Sequence, residues 1–329
     1  MQTSPASFEH ILHRNNIKAL SISNINKGSN AKSFKIISTD KNYFLKIYPT
    51  NSYEKESRLN AERSFLQLLN YSGNFDVPIY IDSCETSRSI LMSWIDGQVI
   101  EAPTVIHWEN YIDFLLRIQT LYSSSINYNV GFAKESSFSL LGHHLLVKRR
   151  LKEITNKISS LDKLKEFSQW LNESPKSLID KEVLFSDLSS EEILYEIPFE
   201  SRILSPSDIG FHNVIENNNR LYFIDFEYAG IDDPYKLLSD ILIHPNYSLD
   251  EYKIKLILSK ITPLFSLIGI DYKKLKLMLY LYIVKWVIIK LRPFDKINFN
   301  NKDYIPLLDS VKSYFNNKLV FINNLNRFF

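Results

Sequence analysis

Residues 203–234 read ILSPSDIGFHNVIENNNRLYFIDFEYAGIDDP, and this stretch decides the fold. It opens on a short strand. A polar loop follows, carrying Asp208 and, five residues on, Asn213. The run Glu216-Asn217-Asn218-Asn219-Arg220 is dense in turn formers, so a hairpin is predicted around it. The second strand of that hairpin, Leu221–Ile224, ends at Asp225-Phe226-Glu227. An Asp, an Asn and a second Asp therefore arrive at the ends of neighbouring strands. Oxygen donors in this pattern suit a magnesium ion held against a nucleotide triphosphate. A further carboxylate suits the orientation of an attacking hydroxyl.

Upstream, three runs have strand character: Ala19–Ile25, Ser33–Ser38 and Tyr43–Tyr48. Gly28-Ser29-Asn30-Ala31 and Thr39-Asp40-Lys41-Asn42 read as the turns between them. The small residues Ser29 and Asn30 would let backbone N–H groups approach a phosphate, although an ordinary turn explains them equally. Lys46 is a lone cation in the third strand, facing opposite to Leu45 and Ile47. By itself it reads as a solvent-facing strand lysine. Ser52–Asn70 follows with helical periodicity and places Glu62 where it can point towards Lys46. Two further strands, Val77–Ile81 and Ser89–Trp94, complete a five-stranded unit, and Ile95-Asp96-Gly97 turns the chain.

Between residues 106 and 200 the periodicity is helical, over His107–Tyr122, Ser137–Ile158 and Leu161–Leu171. His143 and His144 are adjacent on a helix and so face different ways, which makes them a poor metal pair. The acidic run Asp187–Glu192 reads as a helix cap. Three more helices are predicted over Asp250–Ile268, Asp271–Arg292 and Asp303–Leu319.

The composition narrows the class. A chain of 329 residues with 45% apolar content is long enough for about two domains. Its 39 Lys and Arg against 37 Asp and Glu leave a net charge of +2, too weak to argue for nucleic acid. The single cysteine, Cys84, excludes an intramolecular disulfide and a cysteine-based zinc site. The polar start MQTSPASFEH lacks an apolar signal core, and a reducing, cytoplasmic setting is expected. Lys285 interrupts the most apolar run, Leu275–Leu291. A membrane span needs roughly 20 residues, so this run reads as a buried helix and no membrane contact is expected. Oligomeric state is not legible.

The order is strand, turn, strand, strand lysine, helix glutamate, hinge, helices, Asp-x4-Asn loop, hairpin and Asp. It resembles the aminoglycoside phosphotransferase and choline kinase family over roughly residues 20–290. The resemblance implies an α+β, two-lobed protein-kinase-like fold. Residues 1–93 would form a small antiparallel β-sheet lobe with one major helix, and residues 94–329 a mostly helical lobe. Carried over by position, Lys46 would contact the α and β phosphates of ATP, and Glu62 would pair with it. Met92 would sit behind the adenine, with the backbone of Ser93 and Ile95 on its edge. Asp208 would be the catalytic aspartate, and Asn213 and Asp225 would hold Mg2+. Asp233-Pro234 and Asp240 match the family's usual continuation, where such aspartates brace the loop.

Two departures stand out. The family usually has a histidine two residues before the catalytic aspartate, and Pro206 occupies that position here. His212 is present but does not replace it by position. The phosphate loop is also glycine-poor. The implied activity is transfer of the γ-phosphate of Mg-ATP to a hydroxyl of a small molecule: an aminoglycoside, a choline-like amine or a sugar alcohol. The departures motivate a second reading, a nucleotide-binding pseudokinase or scaffold without turnover. A third is a helical interaction protein with a sheet cap and no nucleotide. Glu227, Asp232 and Asp233 add negative charge that would suit a cationic acceptor, or else they brace the loop or coordinate metal. Tyr280, Tyr282 and Trp286 form either an aromatic face for a quaternary amine or ordinary core.

Overall fold

The computed structural model describes residues 9–25, 31–49, 55–73, 75–293 and 304–328. The chain falls into two compact units, Met1–Lys134 with Leu204–Ile231, and Glu135–Ile203 with Asp232–Phe329.

The first unit opens with α1 (Glu9–Arg14), β1 (Ala19–Asn24), β2 (Lys32–Ser38), β3 (Asn42–Ile47), α2 (Lys55–Ser72), β4 (Tyr80–Cys84) and β5 (Ser89–Ser93). The strands form one antiparallel sheet in the order β1-β2-β3-β5-β4. Strand alternation sends Tyr43, Leu45 and Ile47 to one face. There they pack with Ile36, Leu91 and the α1 residues Ile11 and Leu12. Lys46 points to the other face, where it is buried. On α2 the buried residues Leu59, Glu62, Phe65, Leu66 and Leu69 share one stripe, so Glu62 lies within the apolar face. Gly73 closes that helix at φ +67°, a left-handed conformation that glycine adopts at little cost.

The fourth strand lies three residues later than its apolar run suggests. Pro78 has no N–H for a ladder, and a side chain holds this segment instead. Asn70 Nδ2 donates to Pro78 O (3.1 Å) and Asn70 Oδ1 accepts from Tyr80 N (2.6 Å).

The first unit continues with β6 (Gln98–Val99), α3 (Val105–Ile118), β7 (Ile203–Ser205), β8 (Val214–Asn217), β9 (Arg220–Phe223) and β10 (Gly230–Asp232). α3 starts earlier than predicted because Thr104 and His107 form a reciprocal capping box. A 3-10 segment, Gln119–Tyr128, follows it. Gln119 acts as a strand surrogate for β7, its amide donating to Leu204 O (2.9 Å) and accepting from Leu204 N (2.8 Å). β6, β8 and β9 form an antiparallel sheet. Asn218 and Asn219, at φ +51° and +61°, make the predicted hairpin turn. Gly97 sits at φ +133°, where a β-carbon would collide with Glu216 O.

The second unit is helical among its described residues: α4 (Leu140–Ser159), α5 (Lys165–Leu171), α6 (Lys181–Leu184), α7 (Ser190–Leu194), α8 (Pro234–Ile243), α9 (Glu251–Ile261), α10 (Tyr272–Lys290) and α11 (Tyr304–Asn324). Ser139, Asp180, Ser189, Asp233, Asp250 and Asp271 cap α4, α6, α7, α8, α9 and α10 by accepting backbone N–H groups. In the acidic run, the cap is Ser189, with Glu192 closing the box. Of α10, only Tyr272 and Lys273 are exposed. No helix of the described residues is long and apolar enough to cross a membrane.

Candidate active site

Lys46 is the centre of a buried ionic cluster in the first unit. Its Nζ lies 2.9 Å from Glu62 Oε2, 2.6 Å from Asp225 Oδ1 and 3.0 Å from Glu227 Oε2. Residues from a strand, a helix and the end of a hairpin thus share one cation. Tyr48 also donates its hydroxyl to Glu62 Oε2, and the Phe226 N–H donates to Glu62 Oε1 (3.3 Å). Arg58, one turn before Glu62 on α2, lies 3.7 Å from Glu227 and stacks 5.1 Å from the Tyr228 ring centroid. α2 is therefore tied at two points to the segment that follows Asp225.

The electrostatics follow from burial. Loss of water alone would push the Lys46 ammonium down, but Asp225, Glu62 and Glu227 hold it well above the ordinary lysine value. Burial pushes the Glu62 carboxyl up, against the pull of Lys46. Burial and the Glu62 charge push the Tyr48 phenol well up. Three carboxylates face two cations, Lys46 and Arg58, so the cluster carries an excess of negative charge. Glu227 Oε2 is buried and makes no hydrogen bond, despite its 3.0 Å approach to Lys46. Asp225 is the partner that opens to solvent, its side chain 39% exposed. It sits at φ +64°, a strained conformation for a non-glycine residue. Excess negative charge and an accessible aspartate are features that fit a divalent cation.

The loop residues are placed by an aromatic layer. α3 presents Trp108, Tyr111 and Phe114 at helical spacing. Trp108 and Tyr111 pack on Phe211 (4.8 and 5.2 Å between centroids), and Phe114 stacks on Phe223 (3.8 Å). Phe211 lies between Asp208 and Asn213, and Phe223 lies two residues before Asp225. Phe226 in turn packs on Phe65 of α2 (5.3 Å). Asn213 is buried, donates to Asp208 O (3.4 Å), and its own carbonyl accepts from Ile224 N (2.9 Å). That last bond ties the loop to the strand end bearing Asp225.

His212 Nε2 lies 3.4 Å from Asp208 Oδ2. The hydrogen bond to Asp208 raises the imidazole pKa above its ordinary value, against partial burial, and Asp225 adds to the rise. Gly210 makes room for this contact, because a β-carbon there would collide with the His212 ring. A histidine thus reaches Asp208 from four residues after it, although Pro206 occupies the position two before. Ser207, at φ +62°, turns the chain between them, and Asp208 N donates to Pro206 O (2.7 Å).

The other sequence candidates are placed as follows. Met92 is buried in β5, paired in register with Phe44 and Tyr80. Ser93 donates its N–H to Ile79 O (2.9 Å), and its hydroxyl accepts from Ile79 N (2.8 Å). Ile95 is half-buried after the strand ends. Ser29 and Asn30 lie outside the described residues.

Sequence reading missed Tyr48, Arg58 and the role of Glu227 in the cluster. Tyr48 stands two residues after Lys46, just past the end of the same strand, and Glu227 two residues after Asp225 in the turn that follows. Arg58 stands one helical turn from Glu62. In the second unit, Asp232 pairs with buried Lys236, and Asp233 caps α8 while contacting His143 (3.2 Å), so both brace structure. Asp240 is bound by Lys285 (2.9 Å) and Trp286 (3.0 Å). His144 bonds Ile179 O (2.9 Å), so the two histidines pack separately. The aromatic trio does not form one open face. Tyr282 is buried on His143, with the Lys285 ammonium 4.4 Å from its ring, and Tyr280 bonds Asn323.

No protein-family model and no curated protein sequence matches the chain. Solved structures do. A spectinomycin phosphotransferase, APH(9)-Ia, crystallised with ADP and spectinomycin, superposes at a TM-score of 0.60 with 17% identity, over 93% of this chain and 93% of its own. The aminoglycoside phosphotransferase APH(4)-Ia gives 0.59 with 13% identity, over 95% and 99%. A choline kinase from Cryptosporidium parvum Iowa II gives 0.59 with 14% identity, over 97% and 96%. With its small antiparallel sheet and helical remainder, the chain has the α+β, protein-kinase-like fold seen in aminoglycoside phosphotransferases and choline kinases.

Proposed function

We propose that this protein is a small-molecule kinase that transfers the γ-phosphate of ATP to a hydroxyl group. The observation that carries the reading is the shared ion pairing of Lys46 with Glu62 and Asp225, with Asp208 and Asn213 on the adjoining loop. Solved structures of the same fold contain ADP or AMP-PNP, which supports ATP as the donor. In this reading residues 1–93 form the nucleotide lobe, and residues 94–329 supply the loop and the acceptor pocket. Lys46 moves its charge to the α and β phosphates, and Glu62 holds its position. The Ser93 N–H is already used by Ile79, so the adenine edge would meet the Ser93 carbonyl and the Ile95 backbone, with Met92 behind. Ser29 and Asn30 would lie over the phosphates.

Asp225 and Asn213 would hold Mg2+, with Glu227 adding negative charge beside them; the bound cation would neutralise phosphate oxygens. Asp208 accepts or orients the proton of the attacking hydroxyl. Beside it, His212 supplies positive charge when protonated. Most of the acceleration in such a site comes from positioning and charge neutralisation. The acceptor is a small alcohol such as an aminoglycoside, a choline-like amine or a sugar alcohol. A cytoplasmic setting accords with ATP use. The reading makes Asp208→Asn the decisive variant: nucleotide binding persists and transfer falls by about 10²–10⁴, measured as single-turnover transfer from labelled ATP. Transfer near the wild-type rate would remove Asp208 from its role. Nucleotide binding without turnover in the wild type would select the pseudokinase alternative.

A further inference from the structure

The α11 residues Ser310, Ser313, Tyr314, Asn317, Lys318 and Phe321 follow the spacing of a single helix face. Tyr314 is buried and Lys318 and Phe321 are half-buried, while Ser310, Ser313 and Asn317 are exposed, so this face runs from solvent into the protein. These residues line an open cavity of about 370 Å³ in the second unit, bounded by the 245–249 segment after α8 and by Lys290 at the end of α10. That volume is in the range of small-molecule sites. Its described lining includes two lysines and no Asp or Glu. Lys318 Nζ donates to Tyr247 O (3.2 Å), and Lys290 lies 5.8 Å from the Tyr314 ring centroid. Neither lysine forms an ion pair with a described carboxylate. Burial, with no compensating charge, pushes Lys318 down to about 8. The His244 ring stacks on Tyr247 (4.6 Å), fixing the loop that carries the carbonyl.

A partly desolvated cation costs free energy unless an anion meets it. We propose that this cavity binds a small organic anion, a phosphate ester or carboxylate with an apolar or aromatic part. Lys290 and Lys318 hold the anionic head. Ser310, Ser313 and Asn317 supply hydrogen-bond donors to it, and Tyr247, Tyr314 and Phe321 receive the apolar part. The site does not depend on the phosphotransfer reading.

The test uses the full chain with phenyl phosphate, benzoate and inorganic phosphate as probes. Binding is read by the unfolding midpoint and by the NMR titration of the Lys318 side chain. At least one organic probe should bind saturably and move Lys318 upward from about 8. The tighter of the two identifies the head group, and inorganic phosphate should bind more weakly than phenyl phosphate. Lys318→Met should abolish the midpoint shift. Lys290→Gln should weaken binding about tenfold, the worth of one charge-assisted hydrogen bond. Asp225→Ala should leave the response intact, which separates this cavity from the candidate active site. The proposal is overturned if neither organic probe saturates below about 10 mM. It is equally overturned if binding survives in both lysine variants or is lost in Asp225→Ala.

Discussion

Lys46 sits away from water among three carboxylates, Glu62, Asp225 and Glu227. A strand lysine between apolar neighbours is ordinarily a surface residue. Its burial against three carboxylates makes it indispensable to them. Lys46→Met should destabilise the protein by about 3–5 kcal/mol, because it leaves Glu62, Asp225 and Glu227 uncompensated. Adding Glu62→Gln should recover part of that loss. Urea denaturation of the single and double variants checks this, and strict additivity would contradict the cluster. His212 gives a second residue-level expectation. Its pKa is raised above the ordinary value of about 6.5. Its pairing with Asp208 therefore contributes fully below about pH 6.5 and is lost as pH rises through the folded value. An NMR titration should place the His212 midpoint above about 6.5 in the wild type and lower in Asp208→Asn.

At the scale of elements, the aromatic layer sets the loop geometry. Phe114→Ala should cost about 3–5 kcal/mol by removing the stacked partner of Phe223, and a smaller loss would mean that the layer refills. Gly210→Ala should be mild for stability but should displace the His212 ring, lowering the His212 midpoint towards that of Asp208→Asn. The same elements show what the sequence disclosed. β1, β2, β3, β5 and the Asn218-Asn219 hairpin were legible because alternation and turn chemistry are local signals. β4 was misplaced because its pairing residues, Asp82 to Cys84, are polar or small, and Asn70 rather than strand chemistry anchors its start. α8 has a local signal in Asp233-Pro234, a cap followed by a first-turn proline, which the loop-bracing role implied for these residues obscures. The contact of Gln119 with β7 spans 85 positions, and no local pattern carries it.

At the scale of the whole molecule, the fold was legible from the order of elements more than from any residue. Of the residues singled out by sequence, the structure brings Lys46, Glu62 and Asp225 together and places Asp208 and Asn213 on one loop. The supporting residues were not legible, because burial decides whether Tyr48, Arg58 and Glu227 are structural partners or ordinary surface groups. The histidine at Asp208 came from an unexpected position, since Gly210 allows a ring four residues later to fold back. The proposed function requires Lys46, Asn213 and Asp225 to bind a magnesium-nucleotide. The most direct test is the thermal unfolding midpoint without ligand, with Mg-ATP and with ATP plus EDTA, for the wild type and Asp225→Ala. Ligand at about 100 times its dissociation constant adds about 2.7 kcal/mol, a rise of about a few degrees. The account predicts a magnesium-dependent rise in the wild type that is lost in Asp225→Ala. No rise at millimolar Mg-ATP, or an equal rise in both proteins, would contradict it.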